Sequence, residues 1–251
     1  MKKLLLFLLC ILAGCAKPVA PPLPDDASRI WQTMLAASAR ADHPFRLQMS
    51  MRFGEEGNTR RVTGLLWGND ASDIRLDVQA GVGVMLAMIS EAGDDFLLYS
   101  PRENKAFEHS GPNRPMLKIG VPIPFDLAAL AGLLTGSFAN VFGQTPEASE
   151  LVAEGAEFTL AGNLAGALTL NQSGEPVSWK QAHGPWRLAL AYDEDAPFLP
   201  RSVRLESADG KRAIILVKER EDPAAPFSAD QMKLKFPAGT QLLPLADYKP
   251  S

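Results

Sequence analysis

Phe45-Arg46-Leu47-Gln48-Met49-Ser50-Met51-Arg52-Phe53 sets an apolar side chain at every odd position and a polar one at every even position. A period of two belongs to an extended strand with one face in a core and the other in water. Glu55-Glu56-Gly57-Asn58 follows with turn-forming residues, and Arg60 to Trp67 reads as the returning strand of a hairpin.

Outward from that hairpin the pattern repeats. Ile74, Leu76 and Val78 alternate with Arg75, Asp77 and Gln79 as a third strand, and Gly81-Val82-Gly83 turns into a fourth over Val84 to Ile89. The fourth segment is apolar on both faces, with Val84, Leu86 and Met88 on one and Met85, Ala87 and Ile89 on the other. Both faces therefore need cover. Phe96 to Tyr99 and Lys105 to Glu108 pair around Pro101-Arg102-Glu103-Asn104, and Gly111 to Pro124 reads as loop. Alternation resumes near Phe158, Ala167 to Leu170, Val177 to Lys180, Trp186 to Tyr192, Ser202 to Glu206 and Ala213 to Val217. Asp209-Gly210 between the last two is a hairpin signal.

Two segments break this period. Ile30, Trp31, Met34, Leu35 and Ala37 fall on helical spacing, predicting a helix over Ala27 to Ala41 that His43-Pro44 ends. Asp126 to Thr135 predicts a second helix, with Asp126 as its cap and Gly136 just past its end. Leu127, Leu130, Leu133 and Leu134 are too closely set for a narrow stripe, so this helix needs burial on most sides. The inside of a curved sheet supplies it. The expected fold class is mainly β with helices: an incomplete antiparallel barrel wrapping an N-terminal and a central helix.

The chain opens with Lys2 and Lys3, an apolar run from Leu4 to Leu12, and Leu12-Ala13-Gly14-Cys15. Charged start, short apolar core and small residues have the layout of a secretory signal. The run is too short for a bilayer core, which takes about 20 apolar residues. Its ending resembles the lipobox of bacterial lipoproteins, which implies cleavage before Cys15, palmitate-type acylation of that cysteine and membrane attachment through it. Pro18, Pro21, Pro22 and Pro24 suit an extended tether at about 3.1 Å per residue. The expected organisation is a leader over 1–14, a lipidated tether over 15–26 and one domain over 27–251. Ala16 and Lys17 stand where an aspartate would imply inner-membrane retention, so the resemblance implies the outer membrane, with the domain facing the periplasm.

Removing Lys2 and Lys3 leaves 23 basic residues against 29 acidic ones and moves the formal charge from −4 to −6. That balance argues against a nucleic-acid partner and gives no electrostatic hold on anionic lipid. Cys10 leaves with the leader and Cys15 is capped, so disulfide and thiolate chemistry are excluded. His43, His109 and His183 lack metal-ligand spacing, and Gly136-Ser137-Phe138 is no nucleophile elbow. Asp193-Glu194-Asp195 lacks the oxygen spacing of a calcium loop. No cofactor, metal or enzymatic activity is expected.

The order of helix, antiparallel strands, apolar helix and further strands resembles the lipoprotein-localisation family of LolA and LolB, the latter more closely because of the lipobox. Three stretches carry the likeness: Ile74 to Gly83; Pro122-Ile123-Pro124-Phe125-Asp126-Leu127 with Leu134-Thr135-Gly136; and Met232-Lys233-Leu234-Lys235-Phe236-Pro237-Ala238-Gly239, which implies a final strand and turn. The resemblance implies an apolar concavity between sheet and helices that takes acyl chains of client lipoproteins. Its lining would be Met49, Met51, Leu76, Leu86, Met88, Leu127, Leu130 and Leu134, with Val82 at the rim. From the residues alone the methionines suit an ordinary core somewhat better than a pliable cavity. Two departures stand out. Val82 occupies the place of an exposed leucine in the receptor's loop, and Ala131-Gly132-Leu133 replaces the neighbourhood of the family's tryptophan. The shorter Val82 leaves a second expectation, a monomeric scaffold of the same fold that docks one envelope protein.

Overall fold

The computed structural model describes residues 25–39, 43–70, 72–81, 83–111 and 115–249. The expected leader, Cys15, the tether up to residue 24 and Val82 lie outside the described residues, while Asp25 and Asp26, expected in the tether, begin the first helix.

Helix α1 (Asp25–Ser38) precedes a six-strand meander: β1 (Phe45–Glu55), β2 (Asn58–Asp70), β3 (Asp73–Ala80), β4 (Val84–Ala92), β5 (Asp95–Ser100) and β6 (Lys105–Ser110). Three short helices follow, α2 (Pro115–Lys118), α3 (Leu127–Thr135) and α4 (Phe138–Phe142). A second meander comprises β7 (Ala148–Val152), β8 (Gly155–Leu160), β9 (Gly166–Asn171), β10 (Pro176–Gln181), β11 (Trp186–Tyr192), β12 (Pro200–Ser207) and β13 (Lys211–Glu221). Strand β13 pairs antiparallel with β1, which joins the two meanders into one sheet of 14 strands. The sheet curls but stays open, its edges being β14 (Gln241–Pro244) and β7.

Alternation decides the inner face. Leu47, Met49 and Met51 of β1 lie opposite Leu66, Gly64 and Val62 of β2, all inward, while Trp67 faces outward. Helix α1 packs Trp31 against Phe158 of β8, ring centroids 4.8 Å apart, and the Trp31 indole N–H donates to the Gln144 carbonyl at 2.9 Å. Helix α3 lies within the curl against β3 and β12, with Leu127, Leu130, Leu133 and Leu134 fully buried.

The outward apolar face of the first meander finds cover in the chain after β13. Phe227 meets Trp67 at 4.8 Å, Phe236 meets Tyr99 at 5.3 Å, and Met232 is buried. Arg75 pairs with Asp77 at 3.0 Å, donates to the Gln231 and Lys233 carbonyls, and holds its guanidinium 4.9 Å from the Trp67 ring. This strap then adds β14 parallel to β6 and turns inward, burying Leu245 and setting Tyr248 against Phe107 at 5.1 Å.

The final strand is therefore not at Met232 to Phe236. Ser228 and Gln231 form a reciprocal capping box there, so the segment starts as a helical turn, α5 (Ala229–Met232). The last strand comes only after Pro237-Ala238-Gly239. Likewise the stretch from Gly111 to Pro124, expected as loop, contains α2, and the first helix begins at Asp25 and so takes Asp26 into its first turn.

Candidate functional site

Helix α3 is held at both ends by polar side chains from strands, the buried Glu91 and the half-buried Arg220. Asp126 caps its start as expected, its Oδ1 accepting from the Ala129 N–H at 2.7 Å. Glu91 of β4 supplies the rest: Oε2 accepts from Leu127 N at 3.1 Å and Oε1 from Ala128 N at 2.9 Å. At the other end Arg220 of β13 donates to the Leu134 carbonyl at 2.6 Å and to the Pro200 carbonyl. An acid at the N-terminus and a cation at the C-terminus both complement the helix dipole. Burial pushes the Glu91 carboxyl up to about 7, assisted by the nearby Asp126 charge and opposed by the two backbone N–H bonds. Glu91 and Arg220 sit near the ends of β4 and β13, so α3 spans the sheet at the end away from the β1–β2 turn.

Space remains at the other end. A cavity of about 450 Å³ lies between the inner face of β1 to β5 and a roof made by Met116, residues 119–121 and Tyr248. That volume falls in the lower half of the range for small-molecule sites, about 300–1,000 Å³. Phe53, Val62, Val78, Ala87, Ile89 and Leu98 make its walls apolar, and Arg60, Ser100, Arg102 and Glu103 supply polar groups.

The expected lining divides three ways. Met51, Leu76 and Leu86 come together in this cavity. Met49, Leu127, Leu130 and Leu134 are fully buried in the core, outside the cavity wall. Met88 is in register with Asp77 and Tyr99, on the outer side of β4. Leu86 would share Met88's side, but the register skips it: Val78 faces Ala87 and Gln79 faces Met85. This bulge re-aims Leu86 to the cavity mouth, where it is 38% exposed beside Val84 at 63%. Gly64 makes the methionine placement feasible, since a Cβ there would lie 2.7 Å from the Met51 methyl and 3.3 Å from that of Met49.

The roof was not foreseen, because it comes from the loop after β6 and from the chain terminus; the one sequence signal for it is the apolar run Met116, Ile119 and Val121. Gly132 leaves no room for a tryptophan such as the resemblance implies nearby. A Cβ on Gly132 would fall 2.6 Å from Val141 Cγ2, because α4 packs there against α3. At the opposite end, a cleft of about 510 Å³ is lined by Glu91, Asp94, Asp126 and Asn140 among other residues. Among the described residues no cluster of three or more His, Cys, Asp or Glu is placed to hold a metal ion. No helix among them is long and apolar enough to cross a membrane.

An open, curled, largely antiparallel sheet around short apolar helices, with an apolar cavity left beside them, is an incomplete barrel similar in fold to LolA-like proteins. Among solved structures, the chain is similar to a LolA superfamily protein from Nitrosomonas europaea, at TM-score 0.55 and 13% identity over 82% of this chain and 98% of that one. It is also similar to an outer membrane lipoprotein-sorting protein domain from Vibrio parahaemolyticus, at TM-score 0.54 and 12% identity over 82% and 97% of the two chains. No protein-family model and no curated protein sequence matches this chain. At these identities the likeness is one of fold.

Proposed function

We propose that this chain is an outer-membrane lipoprotein, anchored through acylated Cys15, that holds an acyl chain of a lipid or of a client lipoprotein in the 450 Å³ cavity. Its role is lipoprotein localisation or envelope biogenesis, without covalent chemistry. One observation carries the reading: the cavity walls are apolar and the charged side chains on them belong to Arg60, Arg102 and Glu103 near the β-turns. Burying about ten methylenes at about 0.8 kcal/mol each offers about 8 kcal/mol. Association costs at least about 4 kcal/mol of that, which leaves reversible binding. The lipobox supports a role nearer to that of LolB than of LolA within this reading.

The test is titration of a fluorescent fatty-acyl probe into the chain from Ala16 to Ser251, which keeps every described residue. Ala87 stands on the cavity wall, half-buried, so Ala87→Phe fills the space from one side. Probe affinity should fall at least about tenfold while thermal stability moves little. Equal affinity in the two proteins, or no binding at all, sinks the proposal.

A second reading, a scaffold for one envelope protein, is favoured by β7. It is an edge of the sheet and carries Leu151 at 53% exposure, a surface suited to strand addition. A scaffold would return one stoichiometric partner on pull-down, and a carrier a spread of lipoproteins.

A further inference from the structure

The meander brings the β1–β2, β3–β4 and β5–β6 turns to one end of the sheet, around the mouth of the cavity. Inner positions of β2, read towards that end, run Leu66, Gly64, Val62 and then Arg60. Arg60 faces Phe53 across the hairpin, and both line the cavity. On β5 the inner positions run Phe96, Leu98 and Ser100, and Arg102 follows in the turn. Each flank thus ends its apolar row with a cation at the mouth. The strands between them do not: β3 and β4 present Val78, Ala87 and Leu86 there. The acid on the same wall, Glu103, lies 3.6 Å from Lys105 Nζ. Among the charged side chains that line the cavity, two are cations, Arg60 and Arg102, and one is an acid, Glu103.

Resting on the acyl-binding reading above, we infer that the cavity takes a single-chain amphiphile with an anionic head, the chain lying against the β1–β5 wall and the head held at the mouth by Arg60 and Arg102. A guanidinium binds carboxylate or phosphate through paired N–H donors, so either head satisfies the same chemistry. A volume of about 450 Å³ fits one chain rather than the several of a diacyl or triacyl lipid.

Three probes of equal chain length separate the possibilities, titrated calorimetrically into the chain from Ala16 to Ser251 below their micelle concentrations: palmitate, palmitoyl lysophosphatidylglycerol and monopalmitoylglycerol. The anionic probes should bind about tenfold to a hundredfold more tightly than the neutral one, the range expected for a charge-assisted hydrogen bond. Their order identifies carboxylate or phosphate as the preferred head. Arg60→Gln with Arg102→Gln should abolish the preference and leave the neutral probe within twofold. Both side chains are exposed, so folding should persist. Arg102→Glu, a change in a surface turn, should reverse the preference and serves as an independent variant. A neutral probe that binds as tightly as the anions, or variants that bind all three unchanged, overturns the head-group inference and leaves the cavity reading intact. Failure of all three probes overturns both.

Discussion

Glu91 ties the stability of this fold to pH in a direction opposite to that of most carboxylates. Its ordinary value is 4.5 and burial pushes it to about 7, so the folded chain binds this proton more tightly than the unfolded one does. Stability from this source is complete below pH 4.5 and is lost as pH rises through about 7. At about 1.4 kcal/mol per pH unit, the loss between pH 5 and pH 8 is about 2–3 kcal/mol. The assay is urea unfolding at intervals across that range for the natural chain and Glu91→Gln. Glutamine keeps the shape and one acceptor for the α3 N–H groups but has no proton to release. Every other side chain is common to the two proteins, so the difference between the two curves isolates Glu91. That difference should favour the natural chain at pH 5 and shrink by about 2–3 kcal/mol by pH 8. A difference that stays flat with pH would refute a carboxyl held neutral by burial.

Two further outcomes follow from the same helix. Arg220→Met removes the charged donor from the Leu134 and Pro200 carbonyls and should cost about 3 kcal/mol, with amide exchange in residues 131–135 rising first; unchanged exchange would detach Arg220 from any role in holding α3. Gly136→Ala meets a left-handed backbone at φ 84° and sets a Cβ 2.6 Å from the Phe198 carbonyl oxygen. It should destabilise by at least about 2 kcal/mol, read as a lowered melting temperature, and an unchanged melting temperature would contradict the close approach of the two loops.

The strands were legible because one face of each meets a core and a period of two records that directly. Asp126 and Gly136 were legible because caps act within a few residues. Glu91 was not read, although Ile89 and Glu91 share a side of β4 and parity marks the acid as inward. Its partners lie 36 and 37 residues away, beyond any local pattern. The split of apolar residues between core and cavity was invisible for a different reason. Met49 and Met51 share one face and similar chemistry; which of them meets empty space depends on where α3 and the roof stop. Leu86 required the β4 bulge, a change of register that composition does not announce. The strap hid in plain sight: Trp67 and Tyr99 point away from the core, and an outward aromatic reads as exposed until something is known to cross it.

That strap also sets an order of assembly. A chain emerging N-terminus first presents β1 to β6 early, yet β1 waits for β13, more than 150 residues later, and β6 waits for β14. Tyr248, which walls the cavity, arrives later still than β14. The cavity roof is in this way coupled to strand pairings made late in the chain, and a chain truncated before Gln241 would lack β14 and the Tyr248 portion of that roof.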